Sequence, residues 1–180
     1  MRDMIKMGLI LLLITSISGL VLGVTNSLTE DLILQRALEG DLASMQVLMP
    51  DADSYEPVDI SAVDIPGINL IGDVYAGIAD GTPVGYIINV SPAGYGGNIE
   101  MMVGINTNHE IAGVEILSHS ETPGLGSVIV NEEFRDQYAG LTTDDSVTVD
   151  TISGATVSSA AVNQGVSVAA DLYEETLRNQ

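Results

Sequence analysis

The sequence contains no cysteine, only two histidines (His109 and His119) and only five basic residues. Without cysteine there are no disulfides, no thiolate metal sites and no Cys-ligated iron–sulfur clusters. Two histidines make a His-rich metal centre a poor expectation. Five Lys and Arg against 25 Asp and Glu leave a formal charge of −20. Nucleic acid is therefore a poor partner, because phosphate contacts need clustered cations. Three readings of the acidity stay open. It simply solvates the surface, it suits a salty medium that screens self-repulsion, or it steers cationic partners. Apolar residues make up 46% of the chain, which is not the composition of a disordered protein.

Charge is also missing locally. No charged residue occurs between Lys6 and Glu30, a run of 23 residues rich in Leu, Ile, Val and Gly. A helix needs roughly 20 such residues to cross the hydrocarbon core. Arg2 and Lys6 precede the run, and Glu30 and Asp31 follow it. The positive flank stays in the cytoplasm, so the remainder is expected outside it. A cleaved signal peptide competes with this reading, but the run is long for one and carries no A-x-A-like site.

At 180 residues the chain is long enough for one domain plus this anchor. We divide it into residues 1–27 (cytoplasmic stub and transmembrane helix), 28–66 (helical connector and acidic linker) and 67–180 (extracytoplasmic domain). Residues 28–49 read as an amphipathic helix capped by Thr29, with Leu32, Leu34, Leu38, Leu42, Met45 and Leu48 near helical spacing. Its apolar face packs on the domain core or meets a partner. Residues 50–67, rich in Pro, Asp and Ser, read as a linker or loop. The period then changes. Ile71–Ile78, Val84–Val90, Ile99–Asn106 and Ile111–Leu117 read as strands joined by short turns, which implies antiparallel hairpins. A helix is expected over residues 128–138, a further strand at Val147–Val149, and a last helix from about Ser158 to Leu177. The class is α+β, an antiparallel sheet with packed helices behind a single N-terminal transmembrane helix.

Three segments carry chemistry. Asp150–Ser159 reads as strand, small-residue loop and helix start, with Gly154 and Ala155 permitting close backbone approach. Loop N–H groups and a helix N-terminus there suit an anion such as phosphate, with hydroxyls from Thr156, Ser158 and Ser159. Ordinary Ser/Thr capping explains the same residues. His119-Ser120-Glu121-Thr122-Pro123-Gly124-Leu125-Gly126 follows a strand and bends sharply. It either lines a pocket with polar groups around apolar Leu125, or is a plain connecting loop. Gly94-Tyr95-Gly96-Gly97 either brings backbone near a ligand or is a hairpin turn.

Together, in this order and behind one N-terminal anchor, these segments resemble the FMN-binding domain family of the RnfG and NqrC subunits, from the ion-pumping Rnf and Na+-NQR respiratory complexes. The family's flavinylation pattern, Asp-x-x-Ser/Thr-Gly-Ala-Thr, reads Asp150, Ser153, Gly154, Ala155 and Thr156 here. A second family loop, His-x-Glu-Thr-Pro-Gly-Leu-Gly, matches His119 and Glu121–Gly126, and a third matches Gly94–Gly97. The resemblance covers the whole chain. Its short soluble part favours the RnfG branch. Lys is scarce, and Phe134 and six tyrosines are the only aromatic residues, so the ring's aromatic neighbours stay unassigned.

The resemblance implies FMN esterified through its phosphate to Thr156, attached by an ApbE-type flavin transferase with FAD as donor. Ser153, Gly154 and Ala155 would form the phosphate loop, and Asp150 would help position metal or donor during transfer. Glu121, Thr122, Gly124 and Leu125 would contact the ring, with Tyr95 and Gly96 approaching it. His119 would tune the ring or make a structural hydrogen bond. The implied function is a relay for electrons from ferredoxin, with other Rnf membrane and redox subunits as partners. The alternatives are an NqrC-like component of a Na+-translocating NADH:quinone reductase, a membrane-tethered FMN sensor or accessory protein, and a purely structural domain without flavin.

Overall fold

Alternating apolar residues and tight turns make the centre of the chain a meander. In the computed structural model, the described residues are 2–144 and 147–179, with side chains described for residues 6–24, 40–144 and 147–178. Strands β1 (Ser54–Pro57), β2 (Ile71–Ala79), β3 (Thr82–Val90), β4 (Ile99–Asn106) and β5 (Ile111–His119) form one sheet in the order β1-β2-β3-β4-β5. Every neighbouring pair is antiparallel. Around the sheet come helices α1 (Arg2–Leu48), α2 (Glu132–Arg135) and α3 (Thr156–Glu175). The expected α+β class is the one observed.

The strand period of two sorts side chains onto two faces. Tyr86, Ile88 and Val90 of β3 and Ile99, Met101, Val103 and Ile105 of β4 join the main core. That core is completed by Val162, Val166, Ala169, Leu172 and Tyr173 of α3. The alternate residues Ile87 and Met102 face a second cluster with Met45, Leu48 and Met49. Here four strands each contribute a glycine: Gly77, Gly85, Gly104 and Gly113. A Cβ at Gly85 would lie 2.6 Å from the Met49 methyl, and one at Gly104 would lie 3.1 Å from the Leu48 Cβ. The glycines thus form a trough that seats Leu48 and Met49 against the sheet.

The chain divides into two compact units, one ending at Leu42 and the other starting at Ala43. In the first, Lys6–Val24 is 19 residues long with a mean hydropathy of 2.4 and none of it buried, long and apolar enough to cross a membrane. Helix α1 runs through Thr29, so that residue is not a helix start. The side chains of Leu32, Leu34 and Leu38 lie outside the described residues. Met45 and Leu48 pack in the core, as the blander of the two expectations had it.

Three further expectations are corrected. The segment read as a linker supplies β1, and Ile65 within it is core. The helix expected over 128–138 is a 3₁₀ turn (Gly126–Val130), the short α2 and a second 3₁₀ turn (Asp136–Tyr138). Asn131 separates the first two by adopting extended backbone, φ −66° and ψ 137°. No strand forms at Val147–Val149. A side chain takes the place of the ladder: Asn163 of α3 accepts the Val149 N–H at 2.9 Å and donates to the Val149 carbonyl at 2.9 Å.

Asn163 also accepts the Tyr138 hydroxyl at 2.8 Å. Burial pushes the Tyr138 phenol pKa well up, and the hydroxyl stays a neutral donor. Asn163→Ala leaves the buried Tyr138 hydroxyl and the half-buried Val149 N–H and carbonyl unpaired and is expected to cost on the order of 2 kcal/mol. Chemical denaturation of the variant beside the wild type measures this. A cost under about 0.5 kcal/mol would contradict the pairing's role.

Candidate functional site

The sheet brings the three chemistry-bearing segments to one end of the domain. The β3–β4 connection carries Gly94–Gly97, the exit of β5 carries His119–Gly126, and the start of α3 carries Gly154–Ser159. They enclose an open groove of about 430 Å³ lined by Tyr95, Glu121, Thr122, Leu125, Gly126 and residues 154–158. This lies within the range of ligand pockets, roughly 300–1,000 Å³.

Glu121 joins the three segments. It is 5% exposed. Its Oε1 accepts the Gly96 N–H at 2.9 Å, and its Oε2 accepts the Ser158 hydroxyl at 2.6 Å. Side chains larger than hydrogen do not fit around it. A Cβ on Gly94 or Gly126 would collide with the carboxylate, and one on Gly96 would collide with the Ser120 carbonyl. Burial pushes the Glu121 pKa up, but the Ser158 hydroxyl, the Gly96 and Tyr95 N–H groups and nearby His119 together outweigh it. The carboxyl titrates below its ordinary value and is ionised at neutral pH. Its neighbour His119 accepts the Glu121 N–H on Nδ1 at 3.2 Å.

The start of α3 is built differently from a usual helix end. The chain turns through Ile152–Ala155, closed by the Ala155 N–H on the Ile152 carbonyl at 2.9 Å. Gly154 takes a left-handed φ of 84° in that turn. The N-cap is Ala155, and no side chain caps the helix. Ser158 is committed to Glu121. Ser159 accepts the Ile152 N–H at 3.1 Å and donates to the Ala155 carbonyl at 2.9 Å. Both serines lie within the helix, and the N-cap residue, Ala155, has no side-chain oxygen to cap it. Its first N–H groups, without partners four residues back, sit at the positive end of a 20-residue helix. Thr156, the first helical residue, is exposed and lines the groove.

Apolar exposure is concentrated here. From Ala43 on, the exposed large apolar side chains among the described residues are Val47, Tyr95, Leu125, Val130 and Val157. Three of these five, Tyr95, Leu125 and Val157, line the groove. Of the expected site residues, Tyr95, Glu121, Thr122, Leu125, Gly154, Ala155 and Thr156 line it. Gly96 acts through its N–H on Glu121. His119 supports the Glu121 backbone, Gly124 sits at an exposed tip, and Ser153 and Asp150 are exposed just upstream of the helix. Val157 was not expected. Its only signal is its place in the first turn of α3.

Residues 94–171, which carry all three segments of the groove, match the FMN-binding domain family. Two solved structures share the fold. The NqrC protein of the Na(+)-translocating NADH-quinone reductase from Parabacteroides distasonis covers 82% of this chain and 96% of its own, at TM-score 0.56 and 21% identity. Shewanella oneidensis NqrC covers 73% and 91%, at TM-score 0.55 and 17% identity. The G subunit of the ion-translocating oxidoreductase complex of Methanosarcina acetivorans is 33% identical over 178 residues, 94% of each chain. The G subunit of the Na(+)-translocating ferredoxin:NAD(+) oxidoreductase complex of Acetobacterium woodii is 29% identical over 94% of this chain and 91% of its own. The chain belongs to the family of G subunits of ion-translocating oxidoreductase complexes.

Because the Glu121 pKa is depressed, its stabilisation is complete above the unfolded-state glutamate pKa and is lost as pH falls through the lower folded value. Hydrogen exchange at the Gly96 amide should therefore be protected at neutral pH and lose protection below the ordinary glutamate range. Glu121→Gln should lower that protection at neutral pH and flatten its dependence on pH. Unchanged protection in Glu121→Ala, which removes the acceptor altogether, would rule out the side chain as the tie.

Proposed function

We propose that this chain is the electron-relay subunit of a membrane-bound, Rnf-type ion-translocating oxidoreductase, and that it holds FMN through a phosphoester on Thr156. The observation that carries the reading is the uncapped start of α3, where an exposed Thr156 lines an apolar-walled groove. A phosphate ester on Thr156 would sit at the positive end of the helix dipole, where N–H groups favour an anion. Gly154 has open space where a Cβ would stand, so backbone and phosphate can approach closely. Leu125, Val157 and Ala155 supply an apolar wall suited to a flat ring, and Thr122 a polar edge.

FMN would supply one- and two-electron transfer, and so could connect carriers of either kind. The residues' task is to hold position. The Glu121 tie fixes the two loops that flank the helix start, and Ser159 fixes the turn before it. Attachment is assigned to an ApbE-type flavin transferase using FAD, with Asp150 and Ser153 exposed beside Thr156 for it to reach. Electrons would come from ferredoxin through other Rnf membrane and redox subunits, as the ferredoxin:NAD(+) name of the Acetobacterium woodii relative suggests.

Lys6–Val24, roughly 28 Å long at 1.5 Å per residue, would span the membrane once. Arg2 and Lys6 would then lie on the cytoplasmic side and residues 67–180 outside. A covalent bond suits that location, since a cofactor lost outside the cell is not recovered.

Intact mass tests the attachment. Protein from its native host, or co-expressed with its transferase, should carry one FMN esterified with loss of water. Thr156→Ala should carry none, and Thr156→Ser, which keeps the hydroxyl, should carry it in part or in full. Unmodified wild type beside a transferase shown active on another substrate would defeat the covalent reading.

A further inference from the structure

The resemblance brings Tyr95 near the ring without giving it a role, and its setting is unusual. Phe134, Tyr86, Tyr138 and Tyr173 are buried in the main core, and Tyr55 and Tyr75 pack on the second cluster. Tyr95 is 76% exposed, yet it lines the groove opposite the start of α3. A solvated turn residue would account for the exposure alone. It does not account for how the arm is held.

The Gly94 N–H closes the turn on the Gly97 carbonyl at 2.8 Å. The Gly96 N–H is held by the Glu121 carboxylate at 2.9 Å. On either side of Tyr95 the close approach of Glu121 and Ser120 admits only glycine. The backbone is therefore fixed on a buried charge, and the one side chain it carries stands at the groove mouth. The facing walls, Leu125 and Val157, are apolar and 55% and 53% exposed. An aromatic face and two aliphatic faces around an open slot are complementary to a flat, conjugated ring.

We infer that Tyr95 is the stacking wall of this site: its ring covers one face of the isoalloxazine of FMN and screens it from solvent. The inference rests on the reading of the groove as an FMN site. It does not require the ester to Thr156. The exposed ring of Tyr95 becomes buried only when the flavin is present, which explains why a rigid arm presents it to solvent.

The test compares wild type, Tyr95→Phe and Tyr95→Ala as FMN-loaded full-length protein, with intact mass reporting loading separately. The readouts are flavin fluorescence yield and its quenching by iodide. A stacked phenol quenches flavin emission, so Tyr95→Ala should brighten it severalfold and raise iodide accessibility at least twofold. Tyr95→Phe should keep the low iodide accessibility, because the cover is the ring and not the hydroxyl. The same two substitutions are made in the Thr156→Ala chain and titrated with free FMN. There Tyr95→Ala should weaken binding about fivefold, and Tyr95→Phe should not. If loaded Tyr95→Ala matches wild type in yield and iodide accessibility, Tyr95 does not cover the ring and the inference fails. If wild type carries no covalent FMN, the ester reading fails and the titration decides on Tyr95: a Tyr95-dependent affinity supports the wall, and an equal affinity overturns it.

Discussion

The carboxylate of Glu121 is an ionised group 5% exposed to solvent, a placement that costs several kcal/mol unless hydrogen bonds replace the lost water. Here the replacements come from two other stretches of chain. Gly96 lies 25 residues upstream and Ser158 lies 37 downstream. The need to satisfy one buried charge therefore brings the β3–β4 connection, the exit of β5 and the start of α3 together. It also sets the residue types around it. Gly94, Gly96 and Gly126 must lack a side chain, and Ser158 must be a small donor. The three segments that looked like separate motifs in the sequence are three sides of one polar contact.

The same contact anchors the first turn of α3. Ser158 is bound to Glu121 and Ser159 to the turn before the helix, both from within α3. The sequence reading left ordinary capping open beside phosphate binding. In the fold the N-cap is Ala155 and no side chain caps the helix. The positive end of α3 thus faces the groove without a side-chain cap. Further along the same helix, Asn163 performs a related task by standing in for a strand and holding Val149 in place.

What could be read in advance follows from the range of each interaction. Strands β2 to β5 are legible because alternation and short turns are local. β1 is not, because it has four residues, ends in Pro57 and shows almost no buried position. The break at Asn131 and the missing strand at 147–149 depend on backbone and side-chain partners distant in sequence. At the site, Thr156, Ala155 and Gly154 were legible as a helix start preceded by a tight turn. Glu121 was expected to touch the ring, and its tie to Gly96 and Ser158 could not be read from its neighbours in the chain.

The openness of the groove bears on the proposed chemistry. Non-covalent ligand sites commonly bury roughly 70–90% of a small molecule, and here the apolar walls Leu125 and Val157 stand more than half exposed. Enclosing the slot would improve retention, but it would also bar a separate enzyme from the Thr156 hydroxyl and a redox partner from the ring. The proposed ester bond would remove the conflict, because it replaces a binding equilibrium with a fixed link and relieves the walls of retaining the cofactor. On that reading the wall residues control exposure and potential of the cofactor while Thr156 controls its presence. The two properties can then be varied independently, which is what a relay needs when its two partners must both reach it.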